Sequence, residues 1–388
     1  MGRLVAVSTF ILLNIAGVAS RPATTNNAML DIFQLQHQSQ LAKLLPGTFN
    51  TTGLACPSIR KRREWRTLSD IEKADYISAV KCLQSTPVKT PQLPQVKSLF
   101  DQFQAVHITV ADSVHVAVCF HPRTTFSCSK VLSKGQFLPW HRYFLQVYEK
   151  SLRDKCSYKG DIPYWNWSLD VDNGKKFSES PLFSADAKIG FGGDGVRGTY
   201  VPPEDPTGDN RIVSPDFYHG CVQDGAFAGL TLQLGPGRNV GPHCLTRGLD
   251  NDVAAATLNS NSVAYALTMP EFESFRTEIE GQPVMDGPRT HDGGHIAIGG
   301  EMSNFYSSPG EPLFYLHHAH LDHIWWKWQN ADPEKRMYQV TGRTTPEDDF
   351  RNVTLEFPLS VGQLDPGHGA RIGDMMNIRQ QPNCYDYE

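Results

Sequence analysis

Apolar residues recur at helical spacing in several stretches of the chain. A capping-box sequence at Ser69–Glu72 predicts the start of one helix, and further helices are predicted over residues 96–116, from Pro139 onward and over residues 311–329. Residues 170–250 are instead rich in Gly, Pro and Asp, which predicts a long irregular connection. The pattern therefore indicates a mainly α fold in a single domain.

Composition adds a cellular compartment to this picture. The 388 residues are 40% hydrophobic and carry a net charge of −5, which gives no basic excess for binding nucleic acid. Eight cysteines without a C-x2-C pair are more typical of disulfides in an oxidising compartment than of a zinc site. They stand at positions 56, 82, 119, 128, 156, 221, 244 and 384.

The N-terminus has the pattern of a secretory signal peptide. Arg3 precedes an apolar run over residues 4–19, and small residues at 18–20 offer a cleavage site. A membrane anchor is the alternative, but this run is short for a membrane span. We expect residues 1–20 to be removed, residues 21–55 to form a flexible segment, and a secreted domain to occupy residues 56–388.

Two kinds of motif are expected on the surface. The basic run Arg60–Arg63 is typical of a solvated face, although a protease of the secretory pathway could also recognise it. Sequons for N-glycosylation occur at Asn50, Asn166 and Asn352, so a glycoprotein is predicted. Asn166 lies inside the aromatic stretch 163–167, and we expect it to be buried and unglycosylated.

Six histidines fall into two groups on the predicted helices. The groups are His107, His115 and His141, and then His291, His295 and His318. His291 and His295 are four residues apart, so both rings project from one helical face and can bind one metal ion. The metalloprotease motif H-E-x-x-H is absent, and donor sets of imidazole alone favour a late first-row metal. Two sets of three histidines therefore predict a binuclear metal site.

Two longer motifs surround these histidines. Residues 137–143, Phe-Leu-Pro-Trp-His-Arg-Tyr, resemble the signature around the third CuA histidine of tyrosinases and catechol oxidases. Residues 311–319, Glu-Pro-Leu-Phe-Tyr-Leu-His-His-Ala, followed by Asp322 and Trp325, resemble the CuB signature. The resemblance extends over residues 56–387 and is strongest to the short secreted fungal group. It implies a four-helix bundle around a dicopper centre, with long irregular loops.

The resemblance also implies ligands and a reaction. The first histidine group would bind one copper ion, CuA, and the second group would bind CuB, while His317 would lie outside the ligand set. The two copper ions would oxidise o-diphenols (catechols) to o-quinones while O2 is reduced to water. The expected partners are small phenolic substrates and O2, without nucleic acid or a membrane. An oxygen-binding protein, or a family member with a disrupted CuA site, is the alternative.

Further residues match the family less closely. Glu280 resembles a glutamate that holds a water molecule near CuB, and Asp292 stands where the family often has asparagine. Both are candidate catalytic residues, since a carboxylate could accept a phenol proton. Phe305 falls where plant catechol oxidases place a bulky gate, with an ordinary core phenylalanine as the alternative; hydroxylation of monophenols is therefore expected to be weak or absent. Residues 385–387, Tyr-Asp-Tyr, resemble a closing motif on which an N-terminal arginine stacks.

One spacing departs from the family pattern. His115 and His141 are 26 residues apart, whereas relatives usually have nine, and the excess corresponds to residues 118–134. We predict that this segment is an insertion foreign to the fold, which puts the CuA half of the centre in doubt. A genuine surface loop closed by a disulfide between Cys119 and Cys128 is the alternative, since lengthening a loop costs little free energy.

Overall fold

The computed structural model of the chain describes residues 53–115, 134–281, 285–344 and 352–388. The predicted signal peptide, nearly all of the predicted N-terminal segment, and the predicted insertion apart from Lys134 lie outside these residues. Within the described ranges the structure is rich in helices, and its strands are short, which confirms the mainly α prediction.

Helices provide the framework of the described part of the chain. The helices are α1 (Asp70–Ser85), α2 (Leu99–Val114), α3 (Phe137–Cys156), α4 (Ser168–Val171), α5 (Asn251–Thr257), α6 (Ser260–Leu267), α7 (Phe272–Glu280), α8 (Thr290–Ile298), α9 (Leu313–Ala331), α10 (Pro333–Arg336) and α11 (Ile372–Met376). Helices α2, α3, α8 and α9 bring the candidate metal ligands together, as predicted for a four-helix bundle.

Helices α1 and α2 each begin at a capping box. The Ser69 side chain accepts a hydrogen bond from the backbone N–H of Glu72, and the Glu72 carboxylate accepts one from the N–H of Ser69, as predicted from the sequence. Ser98 and Asp101 make the same exchange at the start of α2. These bonds satisfy N–H groups that have no acceptor inside the helix.

Two helices begin at positions other than those predicted. Helix α3 begins two residues before Pro139, and the proline is tolerated because the first N–H groups of a helix have no intrahelical acceptor. Helix α9 begins at Leu313, after Pro312, and Glu311 lies just before it. The Glu311 carboxylate accepts from the Leu313 N–H at 3.1 Å and binds the guanidinium of Arg247 through two contacts of 2.8 Å.

Short strands pair in four small sheets within the described residues. Strand β1 (Arg60–Arg62) runs parallel to β9 (Tyr385–Tyr387), so that the two ends of the domain lie side by side. The other sheets are antiparallel: β2 (Val196–Arg197), β3 (Gly220–Cys221) and β6 (Thr246–Arg247) form one, β4 (Thr231–Leu234) and β5 (Val240–Cys244) form another, and β7 (Pro358–Leu359) and β8 (Ala370–Arg371) form the last.

Three disulfides connect the described cysteines, in agreement with the disulfide interpretation of the sequence. Cys56–Cys384 lies beside the β1–β9 pair and links the two ends of the domain. Cys82–Cys156 joins α1 to the end of α3, and Cys221–Cys244 joins β3 to β5. Cys119 and Cys128, whose pairing is the alternative to a foreign insertion, lie outside the described residues.

The basic run at the start of the domain is only partly a solvated face, because Lys61 is exposed as predicted whereas Arg62 is fully buried. Its Nε–H donates to Glu149 at 3.0 Å, and its guanidinium stacks on the ring of Tyr385 at 3.6 Å. A buried arginine needs such charge partners to offset its loss of hydration. The arginine–tyrosine contact implied by the resemblance is therefore present, and it closes the fold.

Aromatic side chains fill the core between the helices that carry the histidines. Tyr148 of α3 and Tyr315 of α9 stack at 3.6 Å between ring centroids. Phe103 of α2 contacts the edge of Phe144 at 5.3 Å, and Phe144 in turn stacks on Trp140 at 4.8 Å. Side chains of this size bury a large apolar area, so these contacts fix the relative positions of α2, α3 and α9.

The asparagines of the three glycosylation sequons differ in exposure. Asn352 is exposed, Asn166 is half-buried and not buried as predicted, and Asn50 lies outside the described residues. The Asn166 side chain is less enclosed than its neighbours because Trp165 and Trp167 point into the core on either side of it. Among the described residues, no helix combines the length and the apolar character that a membrane span requires.

Candidate metal centre

Helices α2 and α3 build the first histidine triad. His107 lies in the middle of α2, His115 directly follows its last residue, and His141 lies on α3. One ring nitrogen from each of the three lies within 4.8 Å of the others, and the Nε2 atoms of His107 and His115 are 3.0 Å apart. The triad therefore forms although 26 residues separate His115 from His141.

His115 reaches the triad by a route that the sequence did not predict. On a continuous helix, eight residues would separate His107 and His115 by about 12 Å along the axis, too far for both rings to meet one ion. Helix α2 instead ends at Val114, and the backbone of His115 is extended, with φ −88° and ψ −167°. The helix predicted over residues 96–116 therefore ends before His115, and this earlier end lets the His115 ring approach His107.

Helices α8 and α9 build the second triad. His291 and His295 lie one turn apart on α8, as predicted, and His318 lies on α9. The three rings again offer nitrogens within 4.8 Å of one another, and the Nε2 atoms of His295 and His318 are 3.3 Å apart. Gly293 and Gly294 lie between the two α8 histidines, and a Cβ at Gly294 would lie 2.3 Å from the His317 ring, so this turn has to be glycine.

Backbone carbonyls orient four of the six rings. In each case the Nδ1 atom lies within hydrogen-bonding distance of a carbonyl oxygen, so that Nδ1 carries the proton and Nε2 keeps its lone pair. The pairs are His107 with Tyr306 at 2.7 Å, His141 with Phe137 at 2.9 Å, His291 with Glu280 at 3.2 Å, and His295 with Met302 at 2.7 Å.

Burial makes all six rings poor bases and therefore neutral metal ligands. Loss of hydration lowers the pKa of His107 and of His295 to about 4, and it lowers the pKa of the other four ligand candidates well below the usual 6.5. The Nε2 atoms of His141 and His291 are buried and have no hydrogen-bond partner within the described part of the chain. Neutral imidazoles with unused lone pairs fit a late first-row metal ion.

The two triads face each other across a short gap lined by rings. His141 and His318 stack almost parallel, with 4.3 Å between centroids and 8° between planes. Phe137 contacts both His141 and His291 at 4.7 Å, and Phe314 lies 4.2 Å from His318. These apolar rings keep water away from the nitrogens. Two triads this close fit two metal ions in a single binuclear site.

His317 is the neighbour of a ligand candidate but lies outside both triads. The indole Nε1–H of Trp167 donates to its Nδ1 at 3.1 Å, which uses the lone pair of that atom. The ring also lies against Gly294, which supports the helix turn that carries His295. The structure therefore agrees with the prediction that the second histidine of the pair, His318, belongs to the ligand set.

The two candidate carboxylates lie close to the second triad but already have partners. Glu280 is buried at the end of α7, where it accepts hydrogen bonds from Arg276 at 3.0 and 3.1 Å. Asp292 lies in the first turn of α8 and accepts from the backbone N–H of Arg289 at 2.6 Å. A Cβ at Gly281 would lie 2.1 Å from Asp292, so the carboxylate packs directly against that turn.

Several residues of this region were not singled out by the sequence analysis. Arg211 and Arg238 lie over Phe305 and Tyr306, next to the first triad. His323 is buried on α9 behind the site. Two arginines in an irregular connection give no periodic signal, whereas His323 could have been found from its three-residue spacing to His320 on the same helix.

A helical bundle with two facing histidine triads defines a protein with a binuclear, histidine-bound metal centre, and comparison with known proteins identifies the class. Residues 97–331 match the common central domain of tyrosinase. Tyrosinase P of Aspergillus terreus is 31% identical over 357 residues, covering 86% of this chain and 93% of that protein. Tyrosinase-like protein phomQ1 of Diaporthe leptostromiformis is 34% identical over 358 residues, covering 86% and 78%.

A solved structure agrees with these sequence matches. A polyphenol oxidase from Thermothelomyces thermophila superimposes with a TM-score of 0.71 at 30% identity, covering 93% of this chain and 95% of that one. The chain belongs to the tyrosinase family of type 3 copper proteins. It is a copper oxidoreductase, and its two histidine triads fit the two copper ions of that family.

Proposed function

We propose that the chain oxidises o-diphenols to o-quinones, with reduction of O2 to water and with weak or absent hydroxylation of monophenols. His107, His115 and His141 would hold CuA, and the second triad would hold CuB. The observation that carries this proposal is the stacking of His141 on His318, which joins two buried sets of neutral imidazoles in one site. The bound copper pair supplies the two-electron redox chemistry.

The protein contributes orientation and dryness. The carbonyl oxygens of Tyr306 and Met302 direct the Nε2 lone pairs of His107 and His295 inward, so the ligands need little reorganisation when metal binds. Phe137 and Phe314 exclude water from the space between the triads, which strengthens the electrostatic interactions of a bound phenolate.

Asp292 and Glu280 are proposed to handle the protons of the phenol. Each carboxylate is held by its partners, Asp292 by the Arg289 N–H and Glu280 by Arg276, and both stand at the edge of the second triad. Fixed carboxylates can accept a proton at a defined position. A negative charge at Asp292, where the family often has asparagine, also favours a substrate that needs little activation, namely a diphenol.

Phe305 supports the same substrate choice. Its ring lies 5.2 Å from His115, at the edge of the first triad, and is half-buried. A monophenol must approach the centre and then turn so that the carbon next to its hydroxyl reacts, which requires space on this side. An o-diphenol presents both oxygens at once and needs less room to reorient.

The test compares initial rates on 4-tert-butylcatechol and 4-tert-butylphenol for the copper-loaded enzyme. We expect a kcat/KM for the catechol at least about a hundredfold higher, because a monophenol must also reorient in the space that Phe305 limits. The matched variant is Asp292→Asn, which keeps an acceptor for the Arg289 N–H but cannot take up the phenol proton, so it should lower kcat/KM for the catechol. Comparable kcat/KM values for the two substrates would contradict the proposal, whereas two bound copper ions without quinone formation would favour an oxygen-binding protein.

We also propose that the enzyme is secreted after removal of residues 1–20. The disulfide between Cys56 and Cys384 supports this, since such bonds persist in oxidising compartments. N-terminal sequencing of the protein collected from the culture medium tests the cleavage site. A product that stays inside the cell with Met1 intact would contradict the proposal.

A further inference from the structure

One short segment supplies the carbonyl groups that orient a ligand candidate in each triad. The Met302 carbonyl accepts from the His295 ring at 2.7 Å, and the Tyr306 carbonyl accepts from the His107 ring at the same distance. This segment, residues 301–307, connects α8 to α9 and belongs to neither helix. Two carbonyls on an irregular segment keep fixed positions only if the segment is anchored, so its anchors matter for both triads.

The side chain of Gln104 anchors this segment at both ends. Gln104 lies on α2, three residues before His107, and is fully buried. Its Nε2 atom donates to the carboxylate of Glu301 and to the backbone carbonyl of Ser307, each at 2.9 Å. These two residues directly precede and directly follow the pair whose carbonyls orient the ligands. The helix that carries His107 therefore holds the segment just before the first orienting carbonyl and just after the second.

The amide of Gln104 fits its surroundings in one orientation. A third acceptor, the backbone carbonyl of Leu234 at the end of β4, also lies 2.9 Å from Nε2. All three neighbours are oxygen atoms that accept, so the NH2 group and not the amide oxygen has to face them. The space is filled, since a Cβ at Gly310 would lie 2.4 Å from Nε2 and a Cβ at Gly235 would lie 2.6 Å from the Glu301 carboxylate. A water molecule has little room to take over these hydrogen bonds.

Glu301 is the second fixed point of the segment. Its carboxylate is fully buried, and the oxygen that does not bind Gln104 lies 3.3 Å from the Nε2 atom of His243 on β5. Burying a carboxylate is costly unless hydrogen bonds satisfy it, and here side chains from two different elements do so. The pair of Gln104 and Glu301 therefore ties both α2 and the β4–β5 sheet to the segment that orients the two triads.

We propose that Gln104 and Glu301 are positioning residues for both copper sites at once. They hold residues 301–307 against α2 and so keep the Nε2 lone pairs of His107 and His295 directed into the two triads. Groups that orient metal ligands commonly contribute about 10–100-fold to metal affinity. A ligand serves one triad, whereas this pair serves both, so its loss should weaken the two copper ions together. This inference rests on the proposed ligand assignment and adds the residues that hold those ligands in place.

The main experiment measures how much copper each fully loaded variant retains against a competing chelator. Gln104→Leu removes the donor at similar side-chain size, and we expect both ions to be lost at chelator concentrations about 10–100-fold lower than for wild type. Glu301→Leu should show the same joint loss. Glu301→Gln keeps an oxygen that can accept from Gln104 and should retain copper nearly as wild type does. His318→Ala, which removes a ligand, shows in the same assay how the loss of a single site looks.

Gln102→Leu is the matched control. Gln102 lies on the same helix and is also buried, but its amide bonds to the backbone of Thr90 at 3.3 Å and of Gln92 at 2.9 Å. This variant should lose stability to a similar degree, measured by urea denaturation of the copper-free protein, and yet retain both copper ions. The comparison separates the positioning of ligands from a general loss of packing on α2.

A second measurement needs no copper. In copper-free protein labelled with 15N-histidine, NMR follows the exchange with water of the Nδ1 protons of His107 and His295. Both protons should exchange faster in Gln104→Leu than in wild type or Gln102→Leu. The Nδ1 proton of His141, whose carbonyl acceptor lies within α3, should exchange at the same rate in all three proteins.

The outcomes distinguish this inference from the ligand assignment. If Gln104→Leu does not fold, Gln104→Asn replaces it; its amide is shorter by one methylene, and the same joint loss is expected. Retention of both ions by the Gln104 variant, loss of one ion only, or an equal loss in Gln102→Leu would overturn the inference. A wild type that binds fewer than two copper ions would instead overturn the ligand assignment, while the exchange of the ring protons still tests the positioning.

Discussion

Arg142 donates its Nε–H to the carboxylate of Asp322, and the side chains of both residues are at most 3% exposed. Arg142 follows His141 on α3, and Asp322 lies one turn after His318 on α9. The ion pair therefore connects the helix of one triad with that of the other, directly behind the stacked rings. The hydroxyl of Tyr385 also donates to Asp322, at 2.7 Å, which brings the C-terminal strand into the same network.

The first prediction is that Asp322→Asn destabilises the protein strongly. The change keeps the shape of the side chain but leaves Arg142 buried without its counter-charge, so we expect a loss of about 3–5 kcal/mol in the free energy of unfolding. Urea denaturation of the copper-free protein measures it. Asp154→Asn removes the partner of an exposed pair with Lys150 and should cost at most about 0.5 kcal/mol. Similar losses in the free energy of unfolding for both variants would show that the buried pair of Arg142 and Asp322 stabilises the fold no more than an exposed pair does.

The second prediction separates the adjacent histidines of α9. His318→Ala removes one of three donors and should leave about one copper ion per chain, with oxidation of catechol lost. His317→Ala should keep copper binding at a reduced affinity, by about 10–100-fold, because it removes support for the ligands, namely the contacts with Trp167 and with the rings of His291 and His295, and no ligand itself. Copper content after dialysis, measured by elemental analysis, tests both. The assignment would be reversed if His317→Ala lost copper and His318→Ala retained it.

The ligand set could be predicted from sequence because its residues carry local signals. His291 and His295 have helical spacing, and His141 and His318 lie inside long family motifs. The structure brings His115 into the first triad, but the sequence did not show how the residue gets there, since the end of α2 depends on contacts with residues further along the chain. The carbonyl groups at the end of this helix accept hydrogen bonds from the side chains of Lys134, the last residue of the predicted insertion, and of Gln136.

Buried charge was the feature that the sequence described least well. A run of four basic residues is usually solvated, yet Arg62 is buried because Glu149 and Asp322, from two different helices, converge on it. No local pattern records such a convergence. The same holds for Arg211, which lies in an irregular loop and acquires its neighbours Phe305 and Asp112 only in the folded chain.

The third prediction concerns acid stability of the copper-free protein. Burial lowers the pKa of His323 to about 3, from about 6.5 in the unfolded chain. The unfolded state therefore binds more protons below pH 6.5, so stability falls as the pH falls through this window, by up to about 1.4 kcal/mol per pH unit. His323→Phe should lose roughly 2 kcal/mol less than wild type between pH 6.5 and pH 5. Urea denaturation at the two pH values measures this, with the exposed His368→Phe as control. Equal pH dependence of wild type and His323→Phe would contradict the prediction.

The last prediction concerns the predicted insertion, residues 118–134, between His115 and His141. Lys134, the final residue of the predicted insertion, is buried, pairs with Arg343 through the backbone, and donates from its Nζ to the carbonyl of Asp112. That carbonyl lies in the last turn of α2, where helix carbonyls have no intrahelical donor. Lys134 thus supports the helix end that places His115, and a deletion that reaches the family spacing should retain it.

Two deletions of equal length distinguish the lysine from the rest of the segment. Removing residues 117–133 or residues 118–134 sets the spacing of His115 and His141 to nine in both cases, but only the first keeps Lys134. We expect the first variant to bind two copper ions and oxidise catechol at least as fast as the full chain, because a dispensable loop contributes little to stability. The second should bind CuA less tightly and have a free energy of unfolding about 1 kcal/mol lower, since the helix carbonyl loses its donor.

Lys134→Met in the full chain is the matched control for the lysine and should show the same two losses. The number of copper ions per chain, measured by elemental analysis, distinguishes a foreign insertion from a genuine loop. If both deletions lose CuA while the full chain binds two ions, the segment is a genuine part of the fold.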